Sequence, residues 1–277
     1  MTIDQIIAEA LKEDLGSGDH SSLSTIPITA RGRAQLFAKE EGIIAGIDVA
    51  RKVFNAVDED VLFKSFMSDG DKVHIGDVVL EVEGSSVSLL SAERLALNFM
   101  QRMSGIATKT HQMVSLLEGL NTKLLDTRKT TPLLRELEKY SVKTGGGENH
   151  RFGLYDMIMI KDNHIDFAGG IEQAIEAANT YQKKENLDLK IEIEVKDMAE
   201  VEEVLRVGKV HRIMFDNFTP ELMSKAVKRV GGRFETEASG GITETTLRAY
   251  AETGVDYISV GALTHHIKSL DLSLRAI

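Results

Sequence analysis

Between Asp126 and His164 the chain reads DTRKTTPLLRELEKYSVKTGGGENHRFGLYDMIMIKDNH. Lysines and arginines outnumber acidic residues there, in a chain whose formal net charge is −10. The cations are grouped: Arg128-Lys129, His150-Arg151, and Lys161 with His164 each stand beside a turn or at the end of an apolar run. Such grouping suits a small, multiply anionic ligand. Arginine's planar fork meets a carboxylate through two parallel hydrogen bonds, whereas lysine offers a point charge. Gly145-Gly146-Gly147 closes the preceding helical pattern and permits sharp turns ahead of His150, although a plain helix cap and linker would read the same way. Either histidine taken alone is more often structural than catalytic.

A second group of residues could serve sugar, metal or phosphate. Glu192 and Glu194 alternate within IEIEV, so both face one side of a strand, and Asp216 closes RIMFD. Carboxylates at strand ends hold Mg²⁺ or ribose hydroxyls, and a salt bridge from Glu194 to Lys161 or another cation is the alternative. Ser239-Gly240-Gly241 stands between a predicted strand and a predicted helix, where backbone N–H groups make a pocket for phosphate. Val260-Gly261-Ala262 repeats the arrangement one strand later, and paired glycine turns of this kind recur as phosphate grips in β/α barrels. The chain has no cysteine, which excludes disulfides, thiol nucleophiles and cysteine-built zinc sites. It also lacks a His cluster for zinc, a G-x-S-x-G elbow and a Walker A loop.

These groups need a scaffold, and its rhythm is legible. Residues 3–14 have helical spacing, 33–38 and 43–47 read as strands, and 48–57 read as a helix with Asp48 as its cap. Residues 61–88 form short strands punctuated by glycine turns, like a carrier-module hairpin, but Lys72 is not at a hairpin tip. Residues 88–104 form an apolar helix ending at Gly105, with Arg94, Asn98 and Arg102 on one polar stripe, functional or merely solvated. From there strands alternate with helices: 122–125 then 133–143, 157–160 then 168–181, 191–195 then 197–206, 212–215 then 219–229, 234–238 then 243–252, and finally 256–260. That is the signature of a parallel sheet, best fitted by a barrel of the TIM type or a relative, with an open doubly wound sheet as runner-up. The strands close on Asp126, Lys161, Glu194, Asp216, Ser239 and Gly261, and barrels place their chemistry at that end. The acidic balance argues against nucleic-acid and membrane-surface partners, and no apolar run reaches the roughly 18 residues of a membrane span. A soluble, cytoplasmic protein is the expectation.

The segments LDTRKTTP, KTGGGENHRFGLYDMIMIKDNH, EIEV, MFDN, EASGGI and ISVGALTH occur in that order. Together they closely resemble the quinolinate phosphoribosyltransferase family, over nearly the whole chain. The resemblance implies an α/β fold with an N-terminal α/β sandwich (1–105), an incomplete, open-faced parallel β/α barrel (106–265), and a C-terminal segment (266–277) returning to the first domain. It implies a homodimer with a shared active site and transfer of a phosphoribosyl group from phosphoribosyl pyrophosphate to quinolinate with decarboxylation. Residue by residue, Thr127, Arg128, Lys129, His150, Arg151 and Lys161, with Arg94 of the partner subunit, would make the substrate site. Glu194 and Asp216 would serve ribose and Mg²⁺, directly or indirectly. Ser239, Gly240, Gly241, Val260, Gly261 and Ala262 would hold phosphate. A nicotinate-specific phosphoribosyltransferase and a molybdenum-transport-associated relative are the rival readings; the first would not need a cluster sized for two carboxylates.

Overall fold

The computed structural model describes residues 1–277. Its first helix, Ile3–Leu15, is set by a capping box in which Thr2 and Gln5 satisfy each other's backbone N–H groups. Two compact units follow from the packing: one comprises Met1–His111, Thr130–Gly146 and Leu263–Ile277, the other Gln112–Lys129 and Gly147–Ala262. The sequence division ran a single barrel domain over 106–265, whereas the structure gives the helix Arg135–Thr144 to the first unit. Its apolar positions explain this, because Leu137 joins the first unit's core with Phe54 and Met100.

In the first unit, β1 (Arg31–Ala38) and β2 (Gly42–Ile43) precede a helix over Ile47–Val57, so the strand expected at 43–47 gives way early to helix. Asp48 is not that helix's cap. Asp69 takes the role from a distant turn, accepting from Gly46 N and Ile47 N at 3.0 Å each. β3 (Leu62–Ser65), β4 (Lys72–Val73) and β5 (Val78–Ser85) complete the run. The C-terminal strand Leu272–Ala276 pairs antiparallel with β1, which pairs in turn with β5 and β5 with β3. Lys72 pairs with Ile43 inside a ladder, not at an exposed tip.

The helix expected to stop at Gly105 instead runs unbroken over Ser86–Ser115. Glycine is there for closeness rather than termination: a Cβ on Gly105 would overlap the Lys268 carbonyl oxygen and press on Ser269 Cα. Helix propensity alone predicts that Gly105→Ala gains up to about 1 kcal/mol. Overpacking against an unyielding backbone predicts a loss of about 1–3 kcal/mol, and the loss should win. Thermal unfolding decides, and a stabilised variant would refute the close contact.

The second unit carries six parallel strands: β6 (Lys123–Leu125), β7 (Ile158–Ile160), β8 (Ile191–Val195), β9 (Arg212–Asp216), β10 (Glu235–Ser239) and β11 (Tyr257–Ser259). Their order is β6-β11-β10-β9-β8-β7. Consecutive strands lie side by side and the first joins the last, which is barrel winding; a doubly wound sheet would reverse direction. β6 and β7 do not pair, so the barrel is incomplete, with a lone parallel bridge from Leu125 to Glu148 at that side. The helix expected over 168–181 spans Ile171–Glu185, and an additional helix, Asp162–Ala168, precedes it across Gly169 and Gly170 at φ +90° and +139°. No helix is long and apolar enough to cross a membrane.

Candidate active site

Because all six strands of the second unit run parallel, their C-terminal ends share one rim, where β6 leads into Thr127-Arg128-Lys129 and β7 into Lys161. Glu194 and Asp216 lie at the ends of β8 and β9, and Ser239-Gly240-Gly241 and Val260-Gly261-Ala262 follow β10 and β11. The expected site residues of this unit therefore meet on one edge. Arg94 belongs to the first unit, exposed on the helix Ser86–Ser115.

The cationic side is built by two short loops. Thr127 Oγ1 accepts from Lys129 N at 3.1 Å, turning the chain directly after β6. The loop from His150 to Met157 is folded on Asp156, whose carboxylate accepts from Phe152 N at 2.6 Å and Gly153 N at 2.8 Å. Arg151 donates one guanidinium N–H to Met157 O at 3.1 Å. Burial disfavours its cation, and the neighbouring Arg128 charge disfavours it further. Two guanidinium groups near enough to repel each other are stabilised by an anion between them.

Lys161 Nζ donates to Glu194 Oε2 at 2.6 Å, so the salt bridge weighed as the alternative role for Glu194 is formed. His164 Nδ1 accepts from Lys161 N at 2.9 Å and so closes the first turn of the helix Asp162–Ala168. Asp216 Oδ2 accepts from Asn217 Nδ2 at 2.7 Å. On the phosphate side Gly240 and Gly241 have φ +100° and +61°, and a Cβ on Gly240 would overlap Asn217 Oδ1. Glycine is thus required at Gly240 both by conformation and by space.

Beneath the rim lies a buried charged cluster that sequence reasoning only touched. Glu192, Glu237, Arg212 and His150 are all buried. His150 Nε2 lies 3.0 Å from Glu192 Oε2 and 3.3 Å from Glu237 Oε2. Arg212 Nη1 donates to Glu237 Oε2 at 2.8 Å, its Nη2 to Glu235 Oε2 at 3.0 Å, and its guanidinium stacks on Tyr257 at 4.0 Å. Burial and the Glu237 charge push the Glu192 carboxyl up to about 7. Burial also works against Glu237, but His150, Ser259 and Arg212 outweigh it and hold that carboxyl below its usual range. His150, Glu192 and Glu237 bring three donor atoms within 4.8 Å of one another, but Arg212 already supplies the cluster's positive charge.

His150 itself is anchored on every side. Asp126, wholly buried at the end of β6, accepts from His150 N at 2.8 Å and from Asn149 Nδ2 at 2.6 Å. The ring's Nδ1 accepts from Arg151 N at 2.6 Å. Burial disfavours a charged imidazole, and the two neighbouring carboxyl groups favour it. A second proton would nevertheless need Nδ1, which the Arg151 N–H already occupies.

Comparison with known proteins agrees with this geometry. The family model for the quinolinate phosphoribosyl transferase C-terminal domain matches residues 106–275, and that for the N-terminal domain matches residues 19–104. "Quinolinate phosphoribosyltransferase [decarboxylating] 1b" of Nicotiana tabacum is 45% identical, over 98% of this chain and 81% of its own. "Probable nicotinate-nucleotide pyrophosphorylase [carboxylating]" of Bacillus subtilis is also 45% identical, over 95% and 89%. The crystal structure of NadC from Streptococcus pyogenes superposes with a TM-score of 0.94 at 43% identity, covering 99% of this chain and 97% of that one.

Proposed function

This chain belongs to the quinolinate phosphoribosyltransferase family, and on that premise we propose that it transfers the phosphoribosyl group of phosphoribosyl pyrophosphate to quinolinate with loss of CO₂, a step of NAD biosynthesis. The products are nicotinate mononucleotide, pyrophosphate and CO₂. The observation that carries the reading is the gathering of Arg128, Lys129, Arg151 and Lys161 on the rim formed by the ends of the parallel strands, in a chain matched by both family models. Quinolinate is a dianion, and a pocket with several cations matches two carboxylates better than one. Release of CO₂ and nicotinate mononucleotide from quinolinate, with nicotinate as control, tests it; turnover of nicotinate alone would overturn it.

The pyridine nitrogen attacks C1 of the ribose as pyrophosphate departs, with positive charge building on the sugar. The carboxylate beside that nitrogen then leaves as CO₂, and the carbon it leaves takes up a proton. No protein nucleophile is needed, so a chain without cysteine loses nothing. The side chains act by placement and charge. Arg128, Lys129, Arg151 and Lys161 would hold quinolinate's carboxylates, with Thr127 shaping the turn that carries the first two. The turns at Ser239-Gly240-Gly241 and Val260-Gly261-Ala262 would present N–H groups to phosphate.

Glu194 and Asp216 fit Mg²⁺. They are hard oxygen donors on adjacent strands, Lys161 donating to Glu194 Oε2 and Asn217 to Asp216 Oδ2, so Oε1 and Oδ1 would take a cation or its waters. When bound, Mg²⁺ offsets charge on pyrophosphate. The homodimer with Arg94 of the partner subunit completing the site is part of the same proposal. Phe167, Leu154 and Tyr155 are exposed apolar side chains of the second unit that such a partner would cover.

Arg128→Lys keeps the charge and loses the fork. With each charge-assisted hydrogen bond worth about 1.5–3 kcal/mol, its quinolinate affinity should fall by at least about tenfold. Unchanged affinity by calorimetry would take Arg128 out of the carboxylate pocket.

A further inference from the structure

We propose that His150 is a positioning residue and not a quinolinate contact: it joins the buried Glu192, Glu237 and Arg212 to the backbone of Arg151. The inference rests on the functional reading above for the identity of the anion, and on the geometry for the rest.

Both ring nitrogens face the protein interior: Nδ1 is hydrogen-bonded, and Nε2 is buried at ion-pair distance from two carboxyl groups. Nδ1 accepts the Arg151 N–H at 2.6 Å, so it carries no proton. The ring proton therefore sits on Nε2, which faces Glu192 Oε2 at 3.0 Å and Glu237 Oε2 at 3.3 Å. A substrate carboxylate approaching Nε2 would meet two buried carboxyl groups before it met the ring. A histidine that grips an anion presents an N–H to the pocket; this one turns its only N–H away from the solvent side, into the cluster.

The cluster is in turn tied to the sheet. Glu237 Oε2 receives both Arg212 Nη1, at 2.8 Å, and the His150 contact. Arg212 is held by Glu235 and by the face of Tyr257. Residues on β8, β9, β10 and β11 thus fix the plane of one imidazole, and that imidazole fixes one loop N–H. The loop residue so fixed is Arg151, whose cation the Arg128 charge disfavours. Placing two repelling guanidinium groups before the ligand arrives is the kind of preorganisation that binding otherwise has to supply.

The wild-type protein offers the first test, with no substitution that might unfold it. Ring ¹⁵N spectra at neutral pH should show His150 as the neutral tautomer protonated on Nε2. Saturating quinolinate should move the Arg151 amide signal and leave the His150 Nε2 signal in place. A tautomer protonated on Nδ1, an imidazolium, or an Nε2 signal that moves with quinolinate would overturn the proposal. Failure of the wild-type chain to bind quinolinate at all would sink the functional reading, while the tautomer result would still stand.

Variants give the second arm. His150→Asn keeps an acceptor near Nδ1, whereas His150→Phe fills the ring's volume without one. In folded protein, His150→Phe should weaken quinolinate binding by about tenfold or more, the equivalent of one lost hydrogen bond, with His150→Asn within about threefold of wild type. The KM for phosphoribosyl pyrophosphate should stay unchanged in both. Equal weakening in the two variants, or a parallel rise in that KM, would show that His150 acts otherwise.

Discussion

Arg212→Met should cost about 3–5 kcal/mol of stability, because it strands a buried carboxylate and does not merely remove a cation. Glu237 is wholly buried and receives Arg212 Nη1 at 2.8 Å. Methionine fills much of the arginine stem's volume, so the loss isolates charge from packing. The variant should also respond differently to pH. In the wild-type chain Glu237 titrates below its usual value of 4.5, so its contribution to stability is present above that pH and lost as pH falls through the folded value. Without Arg212, burial favours the protonated acids, the folded state binds more protons than the unfolded one, and stability falls as pH rises. The deficit should therefore be smaller near about pH 5 than near about pH 8 in urea titrations. Adding Glu237→Leu should recover much of the loss, as replacement of a whole buried pair often does. A deficit independent of pH, unrelieved by the second substitution, would mean that Arg212 acts through packing on Tyr257 instead.

This cluster also shows what the sequence could and could not reveal. Alternation in IEIEV places Glu192 and Glu194 on one face, and Glu192 on that face meets His150 in the buried cluster. The same alternation is present in ETEAS, where Glu235 and Glu237 share a face, and was the available signal for the missed pair. What alternation lacks is register. Arg212 lies opposite Glu192 on one side and Glu235 on the other, and those pairings depend on which strands are neighbours. The rim was more legible, because a parallel βα repeat fixes which strand ends converge without any knowledge of register. Gly105 was misread for a related reason. Glycine usually marks a helix end in sequence, and only the distant approach of Lys268 and Ser269 explains one in the middle.

Arg94→Ala and Lys161→Ala proteins should each be almost inactive alone, and mixing them should restore activity. Arg94 is exposed on a helix of the first unit, while Lys161 closes β7 on the rim of the second and pairs with Glu194 at 2.6 Å. Under the shared-site proposal, each site takes Lys161 from one subunit and Arg94 from the other. A mixed dimer then has one site with both lesions and one with neither. Free exchange of an equal mixture makes about half the dimers mixed, so about a quarter of all sites should recover. If Arg94 served the site of its own subunit, every site in every dimer would keep one lesion and mixing would restore nothing. Mass spectrometry of the intact assembly measures exchange independently of activity. Exchange without recovery would exclude sharing through Arg94, and an assembly that is monomeric while active would exclude sharing altogether. Recovery near a quarter would also separate this arrangement from nonspecific stabilisation by mixing, which has no reason to follow the statistics of paired lesions.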